Sequence, residues 1–225
     1  MEAALLRKVP FFSSLKEKDL KKLARLTSLH TYKSDNIILM ESEAGISLYL
    51  IAKGSVKVSR MSIDGKEVIL SILKEGDFFG ELSLLDGQAR SATVTAIEDS
   101  ELLILRRDDF LQIIKEHPEL SIFLLKELAR RIRKSDAQIK SLSLLNAAGR
   151  VGTVFIQSAE TGGIIRDGKA YITKLPSQQN IAGMTGMTRE TVSRAVRLLI
   201  EEKLVSKSGT TIIIEDFEKF KEMYS

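Results

Sequence analysis

Leu125, Leu128, Ile132, Ser135, Ile139 and Leu142 follow one another at spacings of 3, 4, 3, 4 and 3. A 3.5-residue apolar period is the seam of a helix that packs lengthwise on another helix. Pro118 stands where the first turn of such a helix belongs. The period predicts a long helix in the middle of the chain and leaves each flank to fold on its own terms. Ser135 is the one polar residue on this seam, and Arg130, Arg131, Arg133 and Lys134 lie beside it. A strict heptad with basic flanks predicts pairing with a second copy of the chain rather than burial against its own sheet.

The flank before the helix has a two-residue texture. Val56 and Val58 alternate with Lys57 and Ser59, and Asp64-Gly65 separates them from Val68-Ile69-Leu70, which is a hairpin signature. Gly45, Gly54, Gly76 and Gly87 add further turns. Short strands over 28–105 between such turns predict a β-sandwich or barrel. Ahead of it, Lys16–Thr27 reads as an amphipathic helix capped by Ser13 or Ser14, and behind it Asp108-Asp109 would cap a short helix ending at Lys115.

The flank after the helix has a third texture. Val151–Ser158 reads as a helix, and Gly162-Gly163 with Asp167-Gly168 as a loop or hairpin. Ser177–Thr185, Gly186 and Thr188–Leu199 then spell two short helices around a glycine turn, a helix-turn-helix. Ala182 allows a close crossing, Thr188 is a good N-cap, and Ile181, Val192 and Leu198 supply packing, as do Met184 and Met187. Lys207-Ser208-Gly209 before Thr211–Ile214 predicts a wing hairpin.

Composition removes several chemistries. The sequence has no Cys, which excludes thiolate zinc sites, cysteine nucleophiles and cysteine-ligated iron–sulfur clusters. Its two His, His30 and His117, are far apart and read as surface or capping residues, so neither a metal site nor an axial haem ligand is expected. Thirty-four Lys and Arg against 30 Asp and Glu give a net +4, which permits a nucleic-acid partner. No apolar run approaches the ~20 residues of a membrane span, and no signal-peptide run opens the chain. The expectation is a cytoplasmic protein without a membrane partner.

Two constellations carry chemistry. In Phe79-Gly80-Glu81-Leu82-Ser83-Leu84-Leu85 a glycine lets backbone approach a ligand, and a turn beginning at Glu81 aims N–H groups at an anion. Arg90 can fork onto a phosphate, Ser91 can add a hydroxyl, and Glu81 can accept from a ribose; an ordinary buried Glu–Arg pair is the alternative. In the second constellation, Arg189 and Glu190 open the second helix of the helix-turn-helix, with Glu190 and Arg194 on one face. Arginine forks onto guanine and glutamate accepts from cytosine. Ser177, Gln178, Thr188 and Ser193 are candidate phosphate contacts. From Lys169 to Ile200 five basic residues face one acidic residue.

The run Phe79–Leu85 followed by Arg90-Ser91-Ala92-Thr93 resembles the phosphate-binding cassette of cyclic-nucleotide-binding domains. Thr188-Arg189-Glu190-Thr191-Val192-Ser193-Arg194 resembles the recognition helix of the Crp/Fnr family of bacterial transcription regulators, and the resemblance extends over essentially the whole chain. It implies an α+β protein: a sandwich or jelly-roll sensor over 1–116, a dimerisation helix over 117–144, and a winged helix-turn-helix over 145–225. It implies no enzyme, and no cysteine-ligated cluster is possible. Gly80 and Leu82 would offer backbone groups to the cyclic phosphate, Glu81 would take the ribose 2′-hydroxyl, and Arg90 and Ser91 would bind the phosphate. Ser135 matches a long-helix threonine that meets adenine in cyclic-AMP-binding members.

Asp136 departs from that pattern, which has a hydroxyl residue there. A carboxylate accepts from adenine, and better from the N1–H and amino group of guanine. Solvation or pairing with Arg133 is the alternative, since a buried unpaired Asp is costly. Cyclic AMP is the expected effector, with cyclic GMP, another small molecule or none as alternatives. Double-stranded DNA with two-fold TGTGA-like half-sites, a second copy of the chain, and RNA polymerase are the implied partners.

Overall fold

The computed structural model describes residues 2–224. The chain forms two compact units that divide between Arg130 and Arg131.

The first unit opens with α1 (Glu2–Arg7), a 3-10 turn (Pro10–Phe12) and α2 (Glu17–Ala24). Eight strands follow, β1 (Thr27–Tyr32), β2 (Ile37–Leu39), β3 (Ser47–Lys53), β4 (Ser55–Met61), β5 (Glu67–Lys74), β6 (Phe78–Phe79), β7 (Thr93–Ala96) and β8 (Ser100–Arg106). The short helix α3 (Glu81–Asp86) lies between β6 and β7, and α4 (Arg107–Glu116) closes the series. The strands make two antiparallel sheets, ordered β1-β8-β3-β6 and β2-β7-β4-β5. Ile51, Phe79 and Leu102 from the first sheet meet Leu39, Val56, Leu73 and Val94 from the second in one buried cluster.

The first sheet is covered on its other face too. Leu48, Leu50, Leu103 and Leu105 pack with Phe11, Phe12, Leu23, Phe110 and Leu120 of the helical elements. That double burial explains why Leu48–Ala52 and Leu102–Leu105 are almost continuously apolar, whereas β4 alternates. The Asp64-Gly65 hairpin forms as expected, with Gly65 at φ +74 and its N–H donating to the Ser62 carbonyl.

Two caps expected from sequence do not form. Lys16 occupies the N-cap of α2 without a side-chain bond, and the Ser13 hydroxyl donates instead to the Pro10 carbonyl at 2.7 Å. Pro10 starts a 3-10 turn that claims Ser13, and Thr27 leaves the helix to pair with Leu105. Arg106 holds the N-cap of α4, so Asp108 and Asp109 lie inside its first turn, where they favour the helix dipole rather than close a cap bond.

Helix α5 (Pro118–Leu144) runs through the division between the units as one 27-residue element. The second unit continues with α6 (Ala147–Gly162), longer than expected because Asn146 caps it, accepting from the Gly149 N–H at 2.9 Å. A hairpin β9 (Ile164–Arg166) and β10 (Lys169–Ile172) turns at Asp167-Gly168, both at positive φ. Then come α7 (Gln178–Thr185), α8 (Arg189–Glu201), β11 (Val205–Ser208), β12 (Thr211–Ile214) and α9 (Phe217–Tyr224). The four strands form a sheet ordered β11-β12-β10-β9. The sequence reading did not include α9; Phe217 and Phe220 bury its inner face. Its last described residue, Tyr224, fills the notch left by Gly149 and Gly152, where a Cβ on Gly152 would come 2.8 Å from the ring.

Candidate effector pocket and nucleic-acid interface

The cassette is assembled by strand pairing. The two rungs Tyr49↔Phe79 and Leu50↔Phe78 join β3 to β6, which delivers Gly80 beside Ser47. Gly80 sits at φ +86, and a Cβ there would stand 2.7 Å from Arg90 Nη1 and 3.1 Å from the Ser47 carbonyl. Glycine is required twice over, by the left-handed backbone and by the space. Gly45 presses from the other side, where a Cβ would collide with the Ser83 side chain.

Arg90 is the centre of this arrangement. It is 5% exposed, and Glu81 is 2% exposed. Arg90 Nη1 donates to the Gly80 carbonyl and Nη2 to the Ser47 carbonyl, each at 2.8 Å. Its Nε is buried and has no hydrogen-bond partner among the described residues. Burial pulls its pKa below the ordinary guanidinium value, opposed by Tyr49, Glu81 and Glu43. The Tyr49 ring lies 5.8 Å from Cζ and stacks on Phe79 at 5.1 Å with an interplanar angle of 9°. The Arg90 backbone is pinned as well: its N–H donates to the Glu43 carbonyl, and its carbonyl accepts from the Ser42 N–H.

The expected cassette residues therefore gather, with Glu81 and Arg90 buried, Gly80 half-buried and Leu82 and Ser91 exposed. Ser135 and Asp136 lie on the part of α5 in the second unit, and both are exposed, so the cost foreseen for a buried Asp136 does not arise within one chain. Sequence reasoning missed Ser47, Tyr49 and Gly45. They lie more than thirty residues before Arg90, and no local motif marks them.

The second constellation is built by two capped helices. The Ser177 hydroxyl accepts from the Asn180 N–H and caps α7, and Gly186 at φ +64 ends it. The Thr188 hydroxyl accepts from the Thr191 N–H and caps α8. Val192, Ala195 and Leu199 turn inward, whereas Leu198, expected to pack, is 44% exposed. The helical period from Val192 selects Leu199.

The opposite side presents Arg189, Glu190 and Arg194 to solvent, with Ser193 half-buried and Ser177, Gln178 and Thr188 exposed nearby in the sequence. The backbone N–H of Glu190 and the Thr188 hydroxyl hold the Glu190 carboxyl below the ordinary carboxylate range, so it is an acceptor at neutral pH. At the N-terminal end of the unit, Arg150 donates to the carbonyls of Leu142 at 2.8 Å, Leu145 at 3.1 Å and Thr185 at 3.4 Å. It thereby satisfies orphaned acceptors at the C-terminal ends of α5 and α7 together. Among the described residues no group of three or more His, Cys, Asp or Glu is placed to hold a metal ion, and no helix is long and apolar enough to cross a membrane.

Comparison with known proteins bears on both constellations. Residues 29–117 match the cyclic nucleotide-binding domain, and residues 149–223 match the Crp-like helix-turn-helix domain. The chain is 34% identical over 187 residues to the cAMP-activated global transcriptional regulator CRP of Pasteurella multocida, covering 83% of this chain and 89% of that one. It is 32% identical over 207 residues to the cyclic AMP receptor protein of Thermus thermophilus, covering 92% and 93%. A CooA mutant from Carboxydothermus hydrogenoformans superposes with a TM-score of 0.81 at 23% identity, covering 97% of this chain and 95% of that one, and so shares the fold.

Proposed function

Because the chain belongs to the Crp/Fnr family of DNA-binding transcription regulators, we propose that it acts as a homodimer whose operator binding is set by a cyclic nucleotide at the cassette. One observation carries the effector half of this reading. Arg90 is a sealed guanidinium with an unmet Nε–H. A buried donor without an acceptor is unfavourable, and an anion answers it. A cyclic phosphate at Arg90 and Ser91, with backbone groups of Gly80 and Leu82 and a ribose hydroxyl on Glu81, fits the donors and acceptors present. Ser135 and Asp136 are the proposed base-reading positions.

The dimer half rests on the long helix. Leu125, Ile132 and Ile139 are 62%, 61% and 62% exposed at seven-residue intervals, a continuous apolar stripe that a second copy would cover. Paired reading heads would then meet a two-fold operator, with Arg189, Glu190 and Arg194 at base edges and Ser177, Gln178, Thr188 and Ser193 at phosphates. TGTGA-like half-sites, a polymerase partner and a cytoplasmic location follow from this reading.

A second reading has its own support. The Arg90 fork is already held by the Gly80 and Ser47 carbonyls, so the cassette can stand without a ligand. Calorimetric titration with cyclic AMP and cyclic GMP separates the two. The effector reading expects saturable heat from one nucleotide, abolished by Arg90→Ala, together with a nucleotide-dependent change in operator affinity. Heat from neither, with unchanged operator binding, removes both nucleotides as effectors and leaves a regulator that is effector-independent or answers a different small molecule. Preference for cyclic GMP makes Asp136 the base reader.

A further inference from the structure

Among the described residues no carboxylate is bonded to the fork of Arg90. Its Nη1 and Nη2 instead take the carbonyls of Gly80 and Ser47. Those carbonyls belong to different strands or their ends, and the Tyr49↔Phe79 rung locks the strands together: Ser47 lies two residues before Tyr49, and Gly80 one after Phe79. The two rings of that rung stack nearly parallel, and the Tyr49 ring also lies under the Arg90 guanidinium. A cation over an aromatic face gains most where water is excluded, and Arg90 is 5% exposed. The backbone of this rung thus spaces both acceptors, and the Tyr49 side chain supplies the surface on which the guanidinium rests.

We propose that Tyr49 is a positioning residue of the effector site: its aromatic face, stacked on Phe79, holds the Arg90 guanidinium in the plane from which it meets a cyclic phosphate. The face is what matters, since the Phe79 stack and the guanidinium contact are both made by the ring. Burial raises the pKa of the Tyr49 hydroxyl, with Tyr32 adding to the rise, so the ring is neutral under Arg90 at physiological pH. The role rests on the effector reading above, and it concerns a residue that touches Arg90 rather than the nucleotide.

The test compares Tyr49→Phe, Tyr49→Leu and Tyr49→Met in the full-length chain by two readouts. The first is calorimetric affinity for cyclic AMP and cyclic GMP. Removal of a desolvated cation–π face predicts roughly tenfold weaker binding for Tyr49→Leu and Tyr49→Met, with Tyr49→Phe within about twofold of wild type. The second readout needs no nucleotide: solvent exchange of the Arg90 Nε–H, followed by NMR. Wild type and Tyr49→Phe should exchange slowly, and the aliphatic variants at least about tenfold faster, measured well below the melting temperature of each.

Slow exchange in all variants, or equal nucleotide affinity in Tyr49→Leu and wild type, overturns the proposal. So does weakening by Tyr49→Phe as severe as by Tyr49→Leu, because the hydroxyl would then be the active group. Should Tyr49→Leu fail to fold, the flexible Tyr49→Met, which fills the site without a π face, carries the comparison. A wild-type chain that binds neither nucleotide overturns the effector reading and the Tyr49 role in binding with it. The exchange readout then still reports whether Tyr49 orders Arg90, so the two failures are distinguishable.

Discussion

Two guanidinium groups of this chain sit under opposite conditions. Arg90 is sealed in a cradle of carbonyls and an aromatic face, so its orientation is fixed before anything binds. Arg189 stands exposed at the first turn of α8, where the proposed function places a base edge. Arg189→Ala should therefore cost about 1–3 kcal/mol at one guanine and flatten discrimination there, while leaving thermal stability unchanged. Gel-shift titration against operators varied at single positions checks this, and equal discrimination by mutant and wild type would remove Arg189 from base readout.

Gly80, Glu81 and Arg90 were legible in the sequence because backbone approach, charge and short spacing leave a local signature. Ser47 and Tyr49 were not, because a strand rung far from the motif brings them in and a tyrosine in an apolar strand reads as packing.

At the scale of elements, the heptad spacing located α5, and its exposed positions recur at the same interval. Ile132 lies near the middle of that stripe and is 61% exposed. Ile132→Glu should shift the protein from dimer to monomer in sedimentation at micromolar concentration, with wild-type helix content by circular dichroism. A dimer of unchanged affinity would place the interface elsewhere. The helix-turn-helix was readable almost to the residue because its punctuation is chemical: Ser177 and Thr188 cap through their hydroxyls, and Gly186 turns because it has no Cβ. The caps of α2 and α4 failed for the complementary reason. A serine or aspartate near a helix start does not decide which residue leaves the helical backbone, and Pro10 together with the β1–β8 pairing decided it first for α2. Leu198 was misplaced by one residue because both leucines fit an apolar helix, and only the packing of Val192 and Ala195 distinguishes them.

At the scale of the whole molecule, the two units differ in where their titratable groups lie. Both histidines, His30 and His117, belong to the first unit. In the second, Lys169 reaches Glu215 at 2.6 Å, and Ser206 also donates to that carboxylate. Lys169 and then Ser206 hold the Glu215 carboxyl below its ordinary range, and Glu215 raises the Lys169 amine. A depressed carboxylate contributes stability that is complete above its unfolded pKa and lost as pH falls through the folded one. A raised amine contributes stability that is complete below its unfolded pKa and lost as pH rises through the folded one. Both limits lie away from neutrality. Amide protection at Tyr171 and Ile213 should therefore be level from about pH 5 to about pH 9 and fall in acid. A step near pH 6.5 would contradict this assignment, since a histidine would have to act on a unit that has none.

The unbroken helix α5 also restricts how this chain can change in length. One residue advances an α-helix by about 100°, so a single insertion at the Arg130–Arg131 division would carry Ile132 and Ile139 a quarter-turn away from Leu125. Seven residues make almost two whole turns and restore the alignment. Descendants of this gene can lose or gain segments at the Asp64-Gly65 turn in any number, but within α5 only in steps close to whole turns, such as about seven or eleven residues. Variation in length is thereby stepwise in α5 and unstepped at that exposed turn.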